Sequence, residues 1–296
     1  MEITVDQMYQ IENKGHDMGF LKKFMMENAG AAAVRRLLTK FDNVASKNIL
    51  VFVGLGNNGG DGLVMARHLA GYGSNVTVML LGDPEKIKTE ESNWNWSILK
   101  KMPSVNLMSG NSLDFDFKPD IIIDGILGTG ISGEIREPYA SAINYINNTD
   151  CYKFAVDVPS GLDPQTGNTA NIFTKCNMTV TFHKMKEGIP KRKDLTGELF
   201  AEKIGIPVLD GNLDPLNEPM VISDLEQAKG YEFDTVIIVN CEEGILPETG
   251  VYEDELYRSA CQFYVAMTRA KNDLYLSYHD NPSVWLKKTH NIYREE

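Results

Sequence analysis

Short apolar runs alternate with longer amphipathic stretches along the first two-thirds of the chain. Runs rich in Val, Ile and Phe predict β-strands at residues 48–54, 75–80, 120–124, 152–158 and 178–182. Most are nearly continuous in apolar residues, which is typical of strands covered on both faces in a parallel sheet. Helical patterns occupy residues 5–14, 20–40, 60–72, 86–102 and 137–147. The alternation predicts a three-layer α/β/α domain with a mostly parallel sheet and an N-terminal helical extension.

The pattern changes near residue 208. Residues 209–220 are rich in Asp, Asn, Pro and Gly, and we interpret them as a linker. A smaller pattern follows, with a predicted strand, helix and strand at residues 235–240, 252–270 and 273–278. The chain is therefore expected to contain a domain at residues 1–208 and a small α+β domain at residues 221–296.

The composition is that of a globular protein, with 43% hydrophobic and 24% charged residues. The net charge of −12 disfavours a broad nucleic-acid surface, and residues 211–296 carry 16 acidic against 7 basic side chains. The four scattered cysteines form no Cys-x-x-Cys pair, so we expect reduced thiols and neither a zinc site nor a disulfide framework. The polar N-terminus does not resemble a signal peptide, and no apolar run approaches the roughly 18 residues of a membrane span. We expect a cytoplasmic protein.

A glycine-rich segment, GLGNNG at residues 54–59, lies between a predicted strand and a predicted helix. It satisfies the G-x-G-x-x-G pattern of Rossmann-like dinucleotide sites, where main-chain amides and a helix N-terminus hold a diphosphate. We expect the amides of residues 57–60 to hold the phosphates here. A carboxylate would repel phosphates, so we interpret Asp61 as a cap at the start of the next helix.

Two other predicted strands also end in polar, glycine-bearing loops, at residues 124–134 and 157–163. The carboxyl ends of parallel strands meet at one edge of a sheet, so these loops and residues 57–61 are expected to face one crevice. Any single Asp or Ser in such a loop is explained equally well as a residue whose side chain stabilises a turn. The convergence of three loops favours a binding site.

The string GNNGGDGLVMARHL at residues 56–69 resembles the signature of the YjeF N-terminal domain family, the NAD(P)HX epimerases. Other segments are similar to further motifs of that family, in the same order: MMENAG (25–30), DGILGTGISGEIREPY (124–139), AVDVPSGLDPQTG (155–167), TVTFHKMKEGI (179–189) and TGELFAEKIGIP (196–207). The resemblance implies an isomerase that interconverts the R and S forms of NADHX or NADPHX. These substrates are hydrated, damaged forms of the reduced nicotinamide cofactors.

The resemblance also implies roles for individual residues. Asp157 would contact the damaged ring and act as the catalytic acid and base. The other substrate-binding residues would be Asn57, Asn58, Gly59, Gly60, Asp61, Gly128, Thr129, Gly130, Ile131, Ser132, Gly133 and Glu134. One potassium ion per subunit would take oxygen ligands, which suit a hard cation of low charge, from Asn58, Asp124 and Ser160. Lys186 is a further candidate for the site, and the alternative is that it is a solvated surface lysine.

Two chemical routes remain open from the sequence. The hydrated ring carries a hydroxyl on C6, beside the ring nitrogen, and this carbon is inverted either by loss and return of water or by ring opening and closing. Both routes need a group that gives and takes a proton. The resemblance further implies a homodimer and a separate NAD(P)HX dehydratase acting in trans on the product.

The tail resembles a different family. Residues 225–247 and 264–278 are similar to the C-terminal part of UvrD/Rep-type superfamily 1 helicases, in which Glu232 matches the motif V glutamate and Arg269 matches the γ-phosphate arginine of motif VI. The chain has no G-x-x-x-x-G-K-[ST] phosphate loop, and Glu226 stands where these helicases usually carry His. We interpret the tail as a non-catalytic appendage. Completing a helicase in trans and residual DNA contact are the alternatives.

The rival interpretation of the whole chain is a catalytically inactive YjeF-like scaffold, linked to nucleic-acid metabolism through its tail. The presence of Asp157, Asn58, Asp124 and Ser160 favours the enzyme over the scaffold. A generic Rossmann dehydrogenase is a third alternative, and no residue pattern in the chain suggests its hydride-acceptor site.

Overall fold

The computed structural model describes residues 2–41, 43–130, 133–206, 233–246, 253–279 and 281–287. The chain divides into two compact units, Met1–Pro207 and Val208–Glu296. The linker predicted at residues 209–220 lies outside the described residues. Within the described ranges, no helix combines the length and the apolar character that crossing a membrane requires.

The first unit is built on a seven-stranded sheet in which each neighbouring pair of strands is parallel. Its strands are β2 (Asn48–Val53), β3 (Asn75–Leu81), β4 (Val105–Gly110), β5 (Ile121–Gly125), β6 (Tyr152–Val156), β7 (Met178–Phe182) and β9 (Glu198–Glu202). They lie in the order β4-β3-β2-β5-β6-β7-β9. Two short strands, β1 (Glu2–Ile3) and β8 (Met185–Lys186), pair with each other in parallel outside this sheet.

Helices cover the sheet, and two of them precede its first strand in the chain. Those described in the first unit are α1 (Val5–Asp17), α2 (Lys22–Leu38), α3 (Asn57–Gly71), α4 (Glu90–Leu99), α5 (Tyr139–Asn148) and α6 (Lys193–Thr196). The helix predicted at residues 86–102 is interrupted. Asp83 caps a 3₁₀ turn at Pro84–Lys86, the backbone is then extended, and α4 starts only after Thr89.

The central strands are buried on both faces, which confirms the interpretation of their apolar runs. Residues 49–53 of β2 are 0% exposed. Leu50 and Phe52 belong to a core cluster with the apolar side of α5. Val51 and Val53, which point to the opposite face, meet Gly62 of α3. The sheet is therefore the middle layer of a three-layer α/β/α fold of Rossmann-like type.

Strand β4 was not predicted from the sequence. It lies at one edge of the sheet, and only its first residue, Val105, is fully buried. Asn106 and Ser109 are exposed, so the strand lacks the apolar run that marks the central strands. Strand β9 at the other edge falls inside a segment singled out only by the family resemblance, TGELFAEKIGIP.

The order of the strands creates a crevice. The chain passes from β2 outward to β3 and β4, and then returns to β5 on the other side of β2. The loops that follow β2 and β5 consequently diverge at the carboxyl edge of the sheet, which is the position where open α/β sheets bind ligands. Pairing of Ile3 in β1 with Lys186 in β8 holds the start of α1 beside the loop that follows β7.

The second unit contains two parallel strands joined through a helix. Strand β10 (Phe233–Ile238) pairs with β11 (Ala270–Leu276), and α7 (Glu253–Met267) lies between them in the chain, followed by the short α8 (Val284–Lys287). Its small core consists of Ile238, Cys241, Phe263, Ala266 and Leu286. The order of strand, helix and strand is the predicted one, with each element displaced by a few residues.

Candidate active site

The glycines between β2 and α3 serve close packing. A side chain at Gly59 would collide with the carbonyl oxygen of Gly54, and one at Gly60 would collide with Ser92 and Met26. A side chain at Gly62 would press on Val53 of β2. Glycine therefore lets the first turns of α3 lie directly against the sheet and α4, which leaves the polar side chains of this helix on the opposite side.

The prediction that Asp61 caps the helix is wrong. Helix α3 begins at Asn57 and its N-cap is Gly56, which has no side chain to offer. The close packing of Gly59 and Gly60 allows the helix to start four residues before Asp61. Asp61 thus lies within α3, on the same face as Asn57 and Asn58, and all three side chains line one cleft.

Asn58 is the first notable side chain of that face. It is 8% exposed, and neither its amide nitrogen nor its amide oxygen has a hydrogen-bond partner. A side chain at Gly128 would meet the Asn58 side chain at 3.1 Å, so the loop after β5 passes directly over it. Buried polar atoms without partners cost about 1–3 kcal/mol each, so this arrangement indicates a group awaiting a ligand.

Asp124, at the end of β5, has the opposite environment. It is 0% exposed, and its carboxylate accepts hydrogen bonds from the Ser160 amide at 2.9 Å, the Ser160 hydroxyl at 2.6 Å and the Thr174 hydroxyl at 2.6 Å. The Ile126 amide donates a fourth bond at 3.2 Å. Burial raises the pKa of Asp124, and the bonds from Ser160 and Thr174 oppose that rise. The cluster joins the end of β5 to the connection between β6 and β7, which contains both Ser160 and Thr174.

Asp157 directly follows β6 and adopts a left-handed backbone conformation with φ of 62°. Its Oδ1 accepts hydrogen bonds from Thr181 Oγ1 at 2.7 Å and from Lys186 Nζ at 2.6 Å. Lys186 is 1% exposed and also donates to Thr181 Oγ1 at 2.8 Å. The interpretation of Lys186 as a solvated surface residue is therefore wrong, because its pairing with Ile3 and Asp157 buries the ammonium group.

These strand ends meet at one cleft of about 310 Å³. Of the predicted site residues, it is lined by Asn57, Asn58, Asp61, Gly128, Thr129, Gly130 and Asp157. Gly59 and Gly60 face the protein interior, while Asp124 and Ser160 are buried behind the wall of the cleft and do not line it. Gly133 and Glu134 are not among its lining residues. Ile131 and Ser132 lie outside the described residues.

The N-terminal helix α1 supplies residues that sequence reasoning missed. Tyr9 and Glu12 line the cleft, and Tyr9 Oη lies 2.7 Å from Thr129 Oγ1 across it. Burial raises the pKa of Glu12, with Lys186 opposing the rise. A signal was present, because Glu12 adjoins the buried face of α1 formed by Met8 and Ile11. The position of that face against the carboxyl edge of the sheet was not predictable.

The fold and the cleft define a Rossmann-like α/β protein whose crevice at the carboxyl edge of the sheet is lined by carboxyl groups and a buried lysine. A model of the YjeF-related protein N-terminus matches residues 22–188, and the chain belongs to this family. The chain is similar to proteins named NAD(P)H-hydrate epimerase, an isomerase. It is 87% identical over 207 residues to the one from Nitrosopumilus maritimus and 65% identical over 207 residues to the one from Cenarchaeum symbiosum. Each alignment covers 70% of this chain and 96% of the relative.

More distant relatives and a solved structure agree with this assignment. The chain is 44% identical over 200 residues to the "Bifunctional NAD(P)H-hydrate repair enzyme Nnr" of Methanothermobacter thermautotrophicus, covering 64% of this chain and 37% of that protein. The crystal structure of yeast ynu0 superposes with a TM-score of 0.58 at 25% identity, over 66% of this chain and 86% of that one. A model of the UvrD-like helicase C-terminal domain matches residues 209–281.

Proposed function

We propose that the first unit is an NAD(P)H-hydrate epimerase that interconverts the R and S forms of NADHX and NADPHX. One observation supports this most directly: Asp157, in an ion pair with the buried Lys186, lines the same cleft as the polar first turn of α3. The cleft thus combines a dinucleotide-type crevice with a carboxylate at its wall. The high identity to proteins named as epimerases over 207 residues supports the same reaction.

The geometry of Asp157 suits proton transfer. Both donors, Lys186 and Thr181, bind its Oδ1, and Oδ2 accepts no hydrogen bond from the described residues. The carboxylate is therefore held in one orientation with its second oxygen available to the substrate. In this proposal Oδ2 takes and returns the proton that moves when the C6 centre of the hydrated ring inverts, a role worth about 10²–10⁴-fold in rate.

The opposite part of the cleft suits the diphosphate. Helix α3 has no side-chain cap, so the free amides of its first turn point outward at the positive end of the helix dipole. Gly56 and Asn57 line the cleft there, together with Lys88 and the loop from Gly128 to Gly130. Backbone amides and a lysine at a helix N-terminus are the groups that bind phosphates in other dinucleotide folds. The amides of Asn57 and Asn58 belong to the group, residues 57–60, that the sequence analysis expects to hold the phosphates.

A monovalent cation fits the residues behind this turn. The orphaned oxygen of Asn58 supports the fit, and Asp124 and Ser160 add one carboxylate and one hydroxyl, oxygen ligands of low total charge. We propose potassium as that ion, held by these three residues. When bound, it would neutralise the buried carboxylate and link the first turn of α3 to the β5 loop. We expect potassium, compared with choline at equal ionic strength, to raise the melting temperature, and Asn58→Ala to abolish the difference. Equal melting temperatures for the wild-type protein in both salts would contradict this site.

The central experiment uses the full-length protein and pure R-NADHX. A dehydratase specific for the S form is added in excess, and recovery of NADH is followed by absorbance. Complete recovery that depends on the amount of this protein is expected. Recovery that stops at the fraction of S-NADHX formed spontaneously, whatever the amount of protein, would refute the epimerase function.

For the second unit we propose a non-catalytic, helicase-like appendage. Arg269, which matches the γ-phosphate arginine, lies just after α7 and donates to the Val265 carbonyl of that helix at 3.0 Å and to the adjacent Thr268 hydroxyl at 3.1 Å. The sequence has no phosphate loop that such an arginine would serve. Glu226 and Glu232 lie outside the described residues. The homodimer and the dehydratase acting in trans stay predictions from the family.

A further inference from the structure

Four carboxyl groups line the cleft, one of them Glu91 of α4, and the proposed chemistry uses only one of the four. Besides Asp157, Glu12 of α1 and Asp61 of α3 line the same cavity. Neither makes a side-chain hydrogen bond to a residue that the structure describes, whereas Asp157 accepts two. Both side chains are half-buried, and carboxyl groups partly removed from water are normally bonded, so two of them without a bond to the described residues indicate a functional requirement.

Asp61 is the more rigidly placed of the two. The packing of Gly59, Gly60 and Gly62 fixes α3 against the sheet, and the Asp61 side chain therefore has a defined direction into the cleft. Asn58, one turn earlier on the same face, is 8% exposed and has no partner for either polar atom. Two neighbouring positions of one rigid helix thus present unpaired polar groups to the same space.

The charges around Asp61 favour its neutral form. Burial raises the pKa of Asp61 well above its ordinary value, the charges of Asp157 and Glu12 raise it further, and Lys186 lowers it. The ammonium group of Lys186 is already bound to Asp157 and Thr181. The other charged side chains that line the cleft are Lys22, Lys88 and Glu91. These surroundings therefore favour a carboxylic acid at Asp61, beside the Asp157 carboxylate in its ion pair with Lys186.

We propose that Asp61 is a second catalytic residue, the acid that protonates the departing hydroxyl on one face of the ring while Asp157 accepts a proton on the other. The inference rests on the proposed epimerase function. The C6–O bond breaks, its electron pair stays on oxygen, and the Asp61 proton completes a water molecule. The ring nitrogen lone pair forms the C=N⁺ bond. A water molecule then attacks C6 from the opposite face and gives its proton to Asp157.

A pair of groups explains inversion better than one. A single carboxyl would have to deliver a proton on one face and collect one on the other. Two carboxyls in opposite protonation states serve both faces, and the state left after one inversion is the state that the reverse reaction needs. Asp61 and Asp157 reach the cleft from different elements, because α3 follows β2, Asp157 follows β6, and β5 lies between those two strands.

The test compares Asp61→Asn, Asp61→Glu and Glu12→Gln in the full-length protein, with R-NADHX, the coupled dehydratase assay and a range of pH. Wild-type kcat should fall on the alkaline side as Asp61 loses its proton. Asp61→Asn should lower kcat by about 10²-fold or more with little change in KM, and should abolish the alkaline fall. Asp61→Glu should restore part of kcat and the alkaline fall. Glu12→Gln should keep the alkaline fall.

Several results would overturn the inference. An Asp61→Asn variant that keeps the wild-type kcat, or that keeps the alkaline fall of kcat, would do so. Loss of the alkaline fall in Glu12→Gln instead of in Asp61→Asn would also do so. In ¹⁸O-labelled water, each wild-type inversion should place one labelled oxygen on C6, and product without label would also overturn it. Failure of the wild-type protein to convert R-NADHX would instead refute the epimerase function itself. An active wild type that Asp157→Asn inactivates and Asp61→Asn does not would remove only the role of Asp61.

Discussion

Two carboxylate clusters stand at the ends of neighbouring strands and differ in their burial and in their hydrogen bonds. At the end of β5, Asp124 is enclosed completely, and four donors satisfy its oxygens. After β6, Asp157 keeps one oxygen without a bond to the described residues, and the nearby Asp61 and Glu12 have no side-chain hydrogen bond to any of them. Burial raises the pKa of Asp124, Asp61 and Glu12 alike.

A raised pKa from burial therefore does not distinguish a structural carboxyl group from a functional one, whereas the hydrogen bonds that the group accepts do. A carboxylate whose lone pairs are filled by amides and hydroxyls stabilises the fold by holding loops together. One that retains open lone pairs in a cleft is costly to stability and available to a substrate. The comparison predicts that substitutions at Asp124 and at Asp61 will change stability with opposite signs, and that the larger effect on turnover will come from the cleft.

The largest effect is expected at Asp157. Asp157→Asn keeps the shape of the side chain and removes its ability to take a proton, so kcat should fall by about 10²–10⁴-fold, or roughly 3–5 kcal/mol. The coupled assay with R-NADHX measures this loss. Asp116→Asn, at an exposed position, is the matched control and should stay within about twofold of wild type. An Asp157→Asn protein that is folded and fully active would remove the distinction between the clusters.

The second effect concerns stability at Asp124. Asp124→Asn replaces an acceptor of four hydrogen bonds with an amide whose N–H groups must face some of the same donors. We expect the free energy of unfolding to decrease by about 2–3 kcal/mol. Urea unfolding of the full-length protein, with Asp116→Asn as the control, measures the change. A variant as stable as wild type would show that the four bonds contribute little to the fold.

A smaller effect of opposite sign is expected at Asp61. Its folded-state pKa is raised, so the stability that it contributes is present at low pH and lost as the pH rises through the folded-state pKa. Asp61→Asn removes that loss and should stabilise the protein by about 1 kcal/mol at neutral pH. The gain should shrink as the pH falls towards the ordinary carboxyl range. Melting curves at several pH values test this, and destabilisation at neutral pH would place Asp61 with Asp124 as a structural residue.

The sequence predicted the parts of this comparison that depend on local pattern. Strands β2, β5 and β6 follow from their apolar runs, and the rule that parallel strands expose their carboxyl ends together placed their loops at one crevice. The half-exposed edge strand β4 has no such run and escaped detection. The individual roles of Asp157 and Asn58 came from the family resemblance, since an Asp or Asn in a turn has no unique meaning by itself.

What could not be predicted depends on contacts between distant residues. Lys186 lies in a two-residue strand, and its burial results from pairing with Ile3, far away in the chain. Glu12 reaches the cleft because that same pairing positions α1. Asp61 was assigned to a helix cap because a carboxylate would repel phosphates and the helix was predicted to start at residue 60, whereas here Gly59 and Gly60 allow the helix to start at Asn57 and to approach the sheet. In each case tertiary packing decided the outcome.

The smallest effect should follow removal of residues 208–296. All strands of the sheet, both carboxylate clusters and every described residue of the cleft lie within residues 1–207. The relative from Nitrosopumilus maritimus aligns over 207 residues, which is 96% of its length. Residues 1–207 alone should therefore keep kcat and KM within about twofold of the full chain, the range of changes remote from a site. Arg269→Ala in the full chain should be equally silent. A tenfold loss on truncation, with the sheet still folded by circular dichroism, would show that the second unit takes part in the reaction.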